Sequence, residues 1–219
     1  MKENGAVKAR YGLLADKIIK NFKKRNFEAY YCEGAEEAAE KALSLIPESS
    51  SVSWGGSATL REIGLIEKVY RGGFSVIDRD KAGSAEERYE FMRRALTADV
   101  YLTSFNAISE DGVLVNIDGG GNRVAAIAFG PKSVVAVVGM NKVCKTAEDA
   151  VVRARTAAAP ANMQRFSTPE RRLNTPCALT GACENCVADD CICSYIAVTR
   201  MCKPKGRIKI ILVGESLGF

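Results

Sequence analysis

Residues 98–143 read ADVYLTSFNAISEDGVLVNIDGGGNRVAAIAFGPKSVVAVVGMNKV, and this stretch decides the fold. It opens on an apolar run at 100–104 and closes on a valine-rich run at 134–139. Short β-branched runs bounded by turn residues mark strands buried on both faces, as in a parallel sheet. Between them a hairpin is expected at Asn116, Ile117 and Asp118, followed by Gly119, Gly120, Gly121, Asn122 and Arg123. Each glycine weakens ordinary secondary structure. What three in a row permit is positive φ and bare backbone N–H groups beside a ligand. Arg123 then stands where its guanidinium can fork onto a carboxylate or phosphate. The plainer alternative is a glycine-rich turn with a solvated arginine.

Upstream, apolar residues at 7, 11, 14, 18 and 22 recur at helical steps, 27–32 reads as a strand, and 34–45 reads as a second helix stopped by Pro47. A strand at 51–54 runs into Gly55-Gly56-Ser57, and 58–70 is helical, with Thr59 and Glu62 at capping-box spacing. A strand, a small-residue turn and a helix start can bind an anion through free N–H groups and the helix dipole. The turn lacks the Gly-Lys-Ser/Thr ending of a P-loop and the Gly-x-Gly-x-x-Gly dinucleotide fingerprint. The other reading is a tight strand-to-helix turn alone. A strand at 74–78, a helix at 84–96 with Ser84 and Glu87 as its box, a helix at 146–158 ending before Pro160, a polar connection at 163–175 and a strand at 207–214 complete the alternation. The class is α/β, a Rossmann-like, mainly parallel sheet with helices on both faces. One domain over 1–219 is expected, with a Cys-rich insertion at about 175–203.

That insertion places Cys177, Cys183, Cys186 and Cys193 at C-x5-C-x2-C-x6-C spacing, with Cys191 and Cys202 nearby. Two thiolates two residues apart can face one ion, and four thiolates without histidine suit tetrahedral zinc or a [4Fe–4S] cluster. The expected ligands are Cys177, Cys183, Cys186 and Cys193, with Cys191 or Cys202 as substitutes. Unliganded reduced thiols and a disulfide framework are the alternatives. The metal site is expected to be an appendage, apart from the anion site.

The chain has no histidine at all. Ser-His-Asp and Cys-His catalysis and histidine metal ligation are therefore excluded. Net charge is +5, but the basic residues are scattered, and the densest group, at 20–25, falls on the polar face of a helix. Nucleic-acid binding is not expected. No apolar run approaches the roughly 18 residues a bilayer span requires, and the first five residues carry no leader-like apolar core. A cytoplasmic protein with reduced thiols is expected. An oligomer is compatible with the composition.

The motifs SWGGSATLREIGL, LTSFNAISEDGVLVNIDGGGNRVAAIAFGPKSVVAVVG, PCALTGACENC with Cys193, and GRIKIILVGESLGF together resemble the LUD (lactate utilisation) domain family, over nearly the whole chain. The resemblance implies a fold of the NagB/RpiA/CoA-transferase superfamily, a small organic anion as ligand (a hydroxy or keto acid, a sugar phosphate or a CoA ester) and iron–sulfur partner proteins in lactate oxidation. The expected binding residues are Gly55, Gly56, Ser57, Asn106, Gly119, Gly120, Gly121, Asn122 and Arg123. Glu110 and Asp118 lie in the right stretch to serve as base or nucleophile. The competing expectation is a non-catalytic subunit docking to an iron–sulfur or flavin redox partner.

Overall fold

The valine-rich run lies in the middle of the main sheet. In the computed structural model residues 4–219 are described, so the reading of Met1, Lys2 and Glu3 as free of a leader falls outside the described residues. Ten strands form among them: β1 (Glu28–Cys32), β2 (Ser51–Trp54), β3 (Ser75–Ile77), β4 (Val100–Thr103), β5 (Ala107–Ser109), β6 (Leu114–Asp118), β7 (Ser133–Gly139), β8 (Val143–Cys144), β9 (Tyr195–Thr199) and β10 (Ile208–Val213). Six make one parallel sheet in the order β1-β10-β7-β4-β2-β3. The principal helices are α1 (Gly5–Lys24), α2 (Ala35–Ser44), α3 (Ala58–Glu62), α4 (Leu65–Arg71), α5 (Ala85–Arg94), α6 (Asn122–Ala128), α7 (Ala147–Arg153), α8 (Ala159–Phe166) and α9 (Pro176–Thr180).

Successive strand residues point to opposite faces, and β7 shows the consequence. Val134, Ala136 and Val138 pack with Ile18 and Phe22 of α1 and Ala126 and Ile127 of α6. Val135 and Val137 pack with Ala38 and Ala42 of α2 and Leu60 and Leu65 of α3 and α4 on the other face. Each fully buried valine of this kind contributes about 1.5–3 kcal/mol. The expected α/β class, with helices on both faces, is what forms.

Several local expectations are corrected. Asn116, Ile117 and Asp118 are the end of β6 and not a hairpin turn. The turn lies between β5 and β6, where Gly112 takes φ +90° and its N–H donates to the Ser109 carbonyl. The helix expected at 58–70 breaks at Gly64 (φ +66°), and its first cap is Ser57, whose Oγ accepts from Leu60 N–H, and not Thr59. The helix expected to stop before Pro160 continues. Residues Ala154–Ala158 widen into a π turn, which absorbs the N–H that proline lacks, and α8 runs on to Phe166, into the start of the polar connection expected at 163–175. The Thr146–Asp149 capping box forms as expected.

A second sheet, β8-β5-β6-β9, was not foreseen. β9 pairs antiparallel with all of β6, so part of the cysteine segment is tied into this sheet. Its inner face packs Ala107, Val115 and Ile117 against Ala150 of α7 and Ala154 of the π turn. No helix among the described residues is long and apolar enough to cross a membrane.

Candidate functional site

Parallel sheets expose backbone and loop residues at the carboxyl ends of their strands, and ligands gather there. Here β2 delivers Gly55-Gly56-Ser57, β4 delivers Ser104 and Asn106, and β7 delivers Lys142, all to the same end of the sheet. Two adjoining cavities open among them. The first, about 350 Å³, is lined by Gly56, Ser57, Thr59, Ser104, Asn106, Arg123, Lys142, Asn162, Arg165 and Phe219, among others. The second, about 630 Å³, shares Gly56, Arg123, Asn162 and Arg165 and adds Arg79, Asp118, Gly119, Gly120, Asn122 and Ile192.

The walls are strongly basic. A Cβ on Gly56 would lie 3.0 Å from Arg79 Nη2 and 3.5 Å from Arg165 Nη2, so the glycine makes room for two guanidinium groups. The nitrogen Nε of Arg79 is buried without a hydrogen-bond partner, and the Asp80 carboxylate stands 3.8 Å from it. Asp80 already pairs with Arg61 at 2.8 Å and Arg88 at 2.9 Å. Burial first, then the charges of Arg61, Arg123 and Arg79, push Arg165 below the usual arginine value. Arg123 is likewise pushed down, chiefly by burial, and Asp118 opposes this.

Arg123 Nη2 donates to the Ile117 carbonyl and, at 3.2 Å, to Asn106 Oδ1. With its carboxamide oxygen turned toward them, Asn122 accepts from Arg123 N–H at 3.3 Å and from Arg79 Nη1 at 3.0 Å. Asp118 Oδ2 accepts the N–H groups of Arg123 (2.9 Å) and Val124 (3.0 Å). Its carboxylate therefore caps α6 and occupies the helix start that a ligand would otherwise use. With α3 only five residues long, helix dipoles contribute little, and the positive field comes from side chains.

Lys142 is 3% exposed, and Nζ donates to Thr59 Oγ1 at 2.9 Å and to Ser104 Oγ at 3.2 Å. Burial, reinforced by Arg153 and Arg123 and opposed by Glu62, pushes its pKa down to about 7. Neither this lysine nor Arg79, Asn162 or Arg165 was singled out in the sequence.

The expected site residues divide. Gly56, Ser57, Asn106, Gly119, Gly120, Asn122, Arg123 and Asp118 come together on the two cavities. Gly55 and Gly121 do not line them. Gly55 lets Tyr101 Oη approach, 2.9 Å from where a Cβ would be. Gly121, at φ +78°, packs on the Tyr195 ring, and a Cβ on Gly119 would lie 3.3 Å from the Ile192 backbone. Packing therefore does account for two of the three glycines. Glu110 stands apart in the β5–β6 turn, ion-paired with Lys17 (2.6 Å) and Lys145 (3.0 Å), which hold its carboxyl below the usual range.

The family follows from the chain as a whole, for the LUD domain profile matches residues 15–213. This chain belongs to the LUD domain family. Its fold is similar to a crystal structure of a DUF162 family protein from Deinococcus radiodurans, at 13% identity and a TM-score of 0.51, over 94% of this chain and 98% of that one. A ribose 5-phosphate isomerase A from Neisseria gonorrhoeae matches at 20% identity and a TM-score of 0.35, over 52% of this chain and 54% of that one, too slight a likeness to carry an argument. No curated protein is a significant match.

In this LUD domain the cysteine segment encloses a third cavity, about 510 Å³, lined by Cys177, Cys183, Cys186, Cys191 and Cys193. All eight cysteines are free thiols. Burial and then Cys191, with Cys183 and Cys177 adding to it, push Cys193 up to about 12. No three Cys, Asp or Glu side chains among the described residues are grouped to hold a metal ion. Cys202 is corrected as a ligand: it lies in the main core with Phe22 and Phe27, and its Sγ accepts from Ile208 N–H at 3.3 Å. Ile192 lines both this cavity and the larger basic one, so the cysteine segment borders the basic cleft and is not a remote appendage.

Proposed function

We propose that this LUD domain holds a small organic anion in the basic cleft, as part of lactate utilisation or related anion metabolism. The observation that carries the reading is the charge balance of the cleft. Arg79, Arg123, Arg165 and Lys142 line it, while its one lining acidic side chain, Asp118, is engaged by the N–H groups of α6, and Asp80, 3.8 Å from Arg79, is shared with Arg61 and Arg88. Buried cations without counter-charge are costly, and an anion relieves that cost. A hydroxy or keto acid, a sugar phosphate or the phosphate end of a CoA ester each offers the oxygens that guanidinium groups recognise. Glu110 receives no chemical role, and Asp118 is given the role of ordering the glycine loop.

Thermal shift with lactate, pyruvate, ribose 5-phosphate and CoA tests the reading. At least one should raise the wild-type Tm, and Arg123→Ala should abolish the rise. Equal shifts in both proteins would remove Arg123 from the site, and no shift with any of them would remove the reading.

A second reading concerns the cysteine segment. Leu179, Val187, Tyr195, Ile196 and Val198 are exposed apolar residues of this segment, and Ile196 lines its cavity, which favours docking to a redox partner. Burial, then the neighbouring thiols, raises Cys193, and a bound cation would favour its thiolate. A single zinc needs its thiolates about 2.3 Å from one point. Thiols spread round a 510 Å³ cavity suit a cluster with separate corner irons better. Cys177, Cys183, Cys186 and Cys193, or Cys191 in place of one, would hold it, and the group would supply electron transfer. Protein purified without oxygen should carry iron and sulfide together. Less than about 0.1 equivalent of iron and of zinc, with all eight thiols titratable, would refute the metal site.

A further inference from the structure

We propose that Lys142 is a nucleophile that forms an imine with the carbonyl group of a small anionic carbonyl compound bound in the basic cleft. The proposal rests on the anion-binding reading of the same cleft and adds the reactive group.

The geometry is specific. Lys142 follows β7 at the carboxyl end of the sheet and lines the 350 Å³ cavity together with Arg123 and Arg165. Among the described residues its side-chain partners are two hydroxyls, Thr59 Oγ1 at 2.9 Å and Ser104 Oγ at 3.2 Å, and none of their carboxylates lies within ion-pair distance. A buried structural lysine is normally held by a carboxylate, because an unpaired ammonium is costly away from water. A lysine among hydroxyls and cations is instead one that gives up its proton readily. Burial first, then Arg153 of α7 and Arg123 of α6, push it down to about 7, against the opposing charge of Glu62 of α3.

The step balances without an oxidant or reductant. The Nζ lone pair attacks the carbonyl carbon, forming the C–N bond, and the carbonyl oxygen takes up a proton. Nitrogen loses its two protons in turn, the first balancing the one taken up by the oxygen and the second passing to the hydroxyl, so that the C–O bond breaks, water leaves and the C=N bond forms. Thr59 and Ser104 hydroxyls lie beside Nζ and relay these protons. Arg123 and Arg165 hold the anionic end, which is a carboxylate in an α-keto acid or a phosphate in a sugar phosphate.

The test is reductive trapping on the wild-type chain. The protein is incubated with pyruvate or, in a separate arm, ribose 5-phosphate, in the presence of cyanoborohydride, then digested and mapped by mass spectrometry. At pH 7 the label at Lys142 should saturate, be displaced by inorganic phosphate, and form at least about tenfold faster than at exposed Lys132, whose amine stays protonated beside Asp99. Labelling in the pyruvate arm alone assigns a keto acid; labelling in the ribose 5-phosphate arm alone assigns a phosphorylated carbonyl. Lys142→Arg should lose the saturable label and keep the exposed ones. Label confined to exposed lysines, or label at Lys142 that phosphate does not displace, overturns the proposal. If Lys142 stays unlabelled while the same compounds raise the Tm, the anion site stands and the imine falls; if neither occurs, both fall.

Discussion

Replacing Lys142 by methionine keeps an unbranched side chain one atom shorter and deletes its titration, which turns the state of the lysine into a measurable pH slope. In the unfolded chain Lys142 ionises near its ordinary 10.5, whereas in the fold it does so near 7. Between those values the unfolded state binds the extra proton, so wild-type stability rises with pH. At about 1.4 kcal/mol per pH unit, the drop from 10.5 to about 7 is worth on the order of 5 kcal/mol. This is a penalty, absent above about 10.5, growing as pH falls and complete below about 7. Methionine carries no such penalty. It does strip Thr59 Oγ1 and Ser104 Oγ of their shared donor, at a cost of about 1–3 kcal/mol that does not vary with pH. Urea unfolding of both proteins at pH 6.5, 7.5, 8.5 and 9.5 separates the two effects. The methionine variant should be relatively most stable at pH 6.5, and wild type should gain on it by roughly 1 kcal/mol or more per pH unit above 7. A difference that stays constant across this range would mean that Lys142 keeps its proton in the fold, and the neutral-amine reasoning would fail.

Other outcomes follow from local geometry. Asp99 accepts from Ser51 N–H and Oγ at 2.8 and 2.6 Å and pairs with Lys132 at 2.7 Å, which hold its carboxyl well below its ordinary 3.8. The resulting stability is present above pH 3.8 and is lost as pH falls further, so Asp99→Asn should be less stable than wild type at pH 6 and converge with it during acid unfolding. A Cβ on Gly139 would lie 2.7 Å from Leu217 N and 2.8 Å from the Glu215 carbonyl. Gly139→Ala should therefore cost about 1–3 kcal/mol or more, lowering Tm by about 2–4 °C per kcal/mol in calorimetry. Asp118→Ala removes the acceptor for two N–H groups at the start of α6 and should cost about 0.5–2 kcal/mol by urea unfolding, with weaker anion binding because the loop carrying Arg123 loosens.

The parallel sheet was legible because its strands are short valine and isoleucine runs buried on both faces, and β7 and β10 could hardly be read otherwise. The second sheet was not, for a physical reason. β5 has three residues and β8 two, too few to show a period, and β9 lies among cysteines and turn formers. The π turn ahead of Pro160 was hidden because a proline normally ends a helix and no pattern announces the extra residue. The glycine loops pointed to the correct end of the sheet, yet the charged groups that define the cleft did not stand out. Arg79, Arg165 and Lys142 are long polar residues that a sequence reading assigns to solvent. Only Lys142 left a trace, a lysine directly behind a buried strand at the end where ligands gather.

The three glycines at 119–121 show how one motif can serve two structures at once. Gly119 and Gly120 line the basic cleft, while Gly119 and Gly121 are also required by what packs behind them, the Ile192 backbone, 3.3 Å from where a Cβ on Gly119 would be, and the Tyr195 ring. Both of those belong to the cysteine segment, and Ile192, between Cys191 and Cys193, also lines the cysteine cavity. The loop that carries Arg123 toward an anion is thus braced by the loop that carries the thiols. Close-packed contacts of this kind do not deform gradually. A change that draws Cys191 and Cys193 inward must move Ile192 between them, and with it one wall of the basic cleft. The basic cleft and the thiol cavity are therefore joined through one residue, Ile192, which lines both.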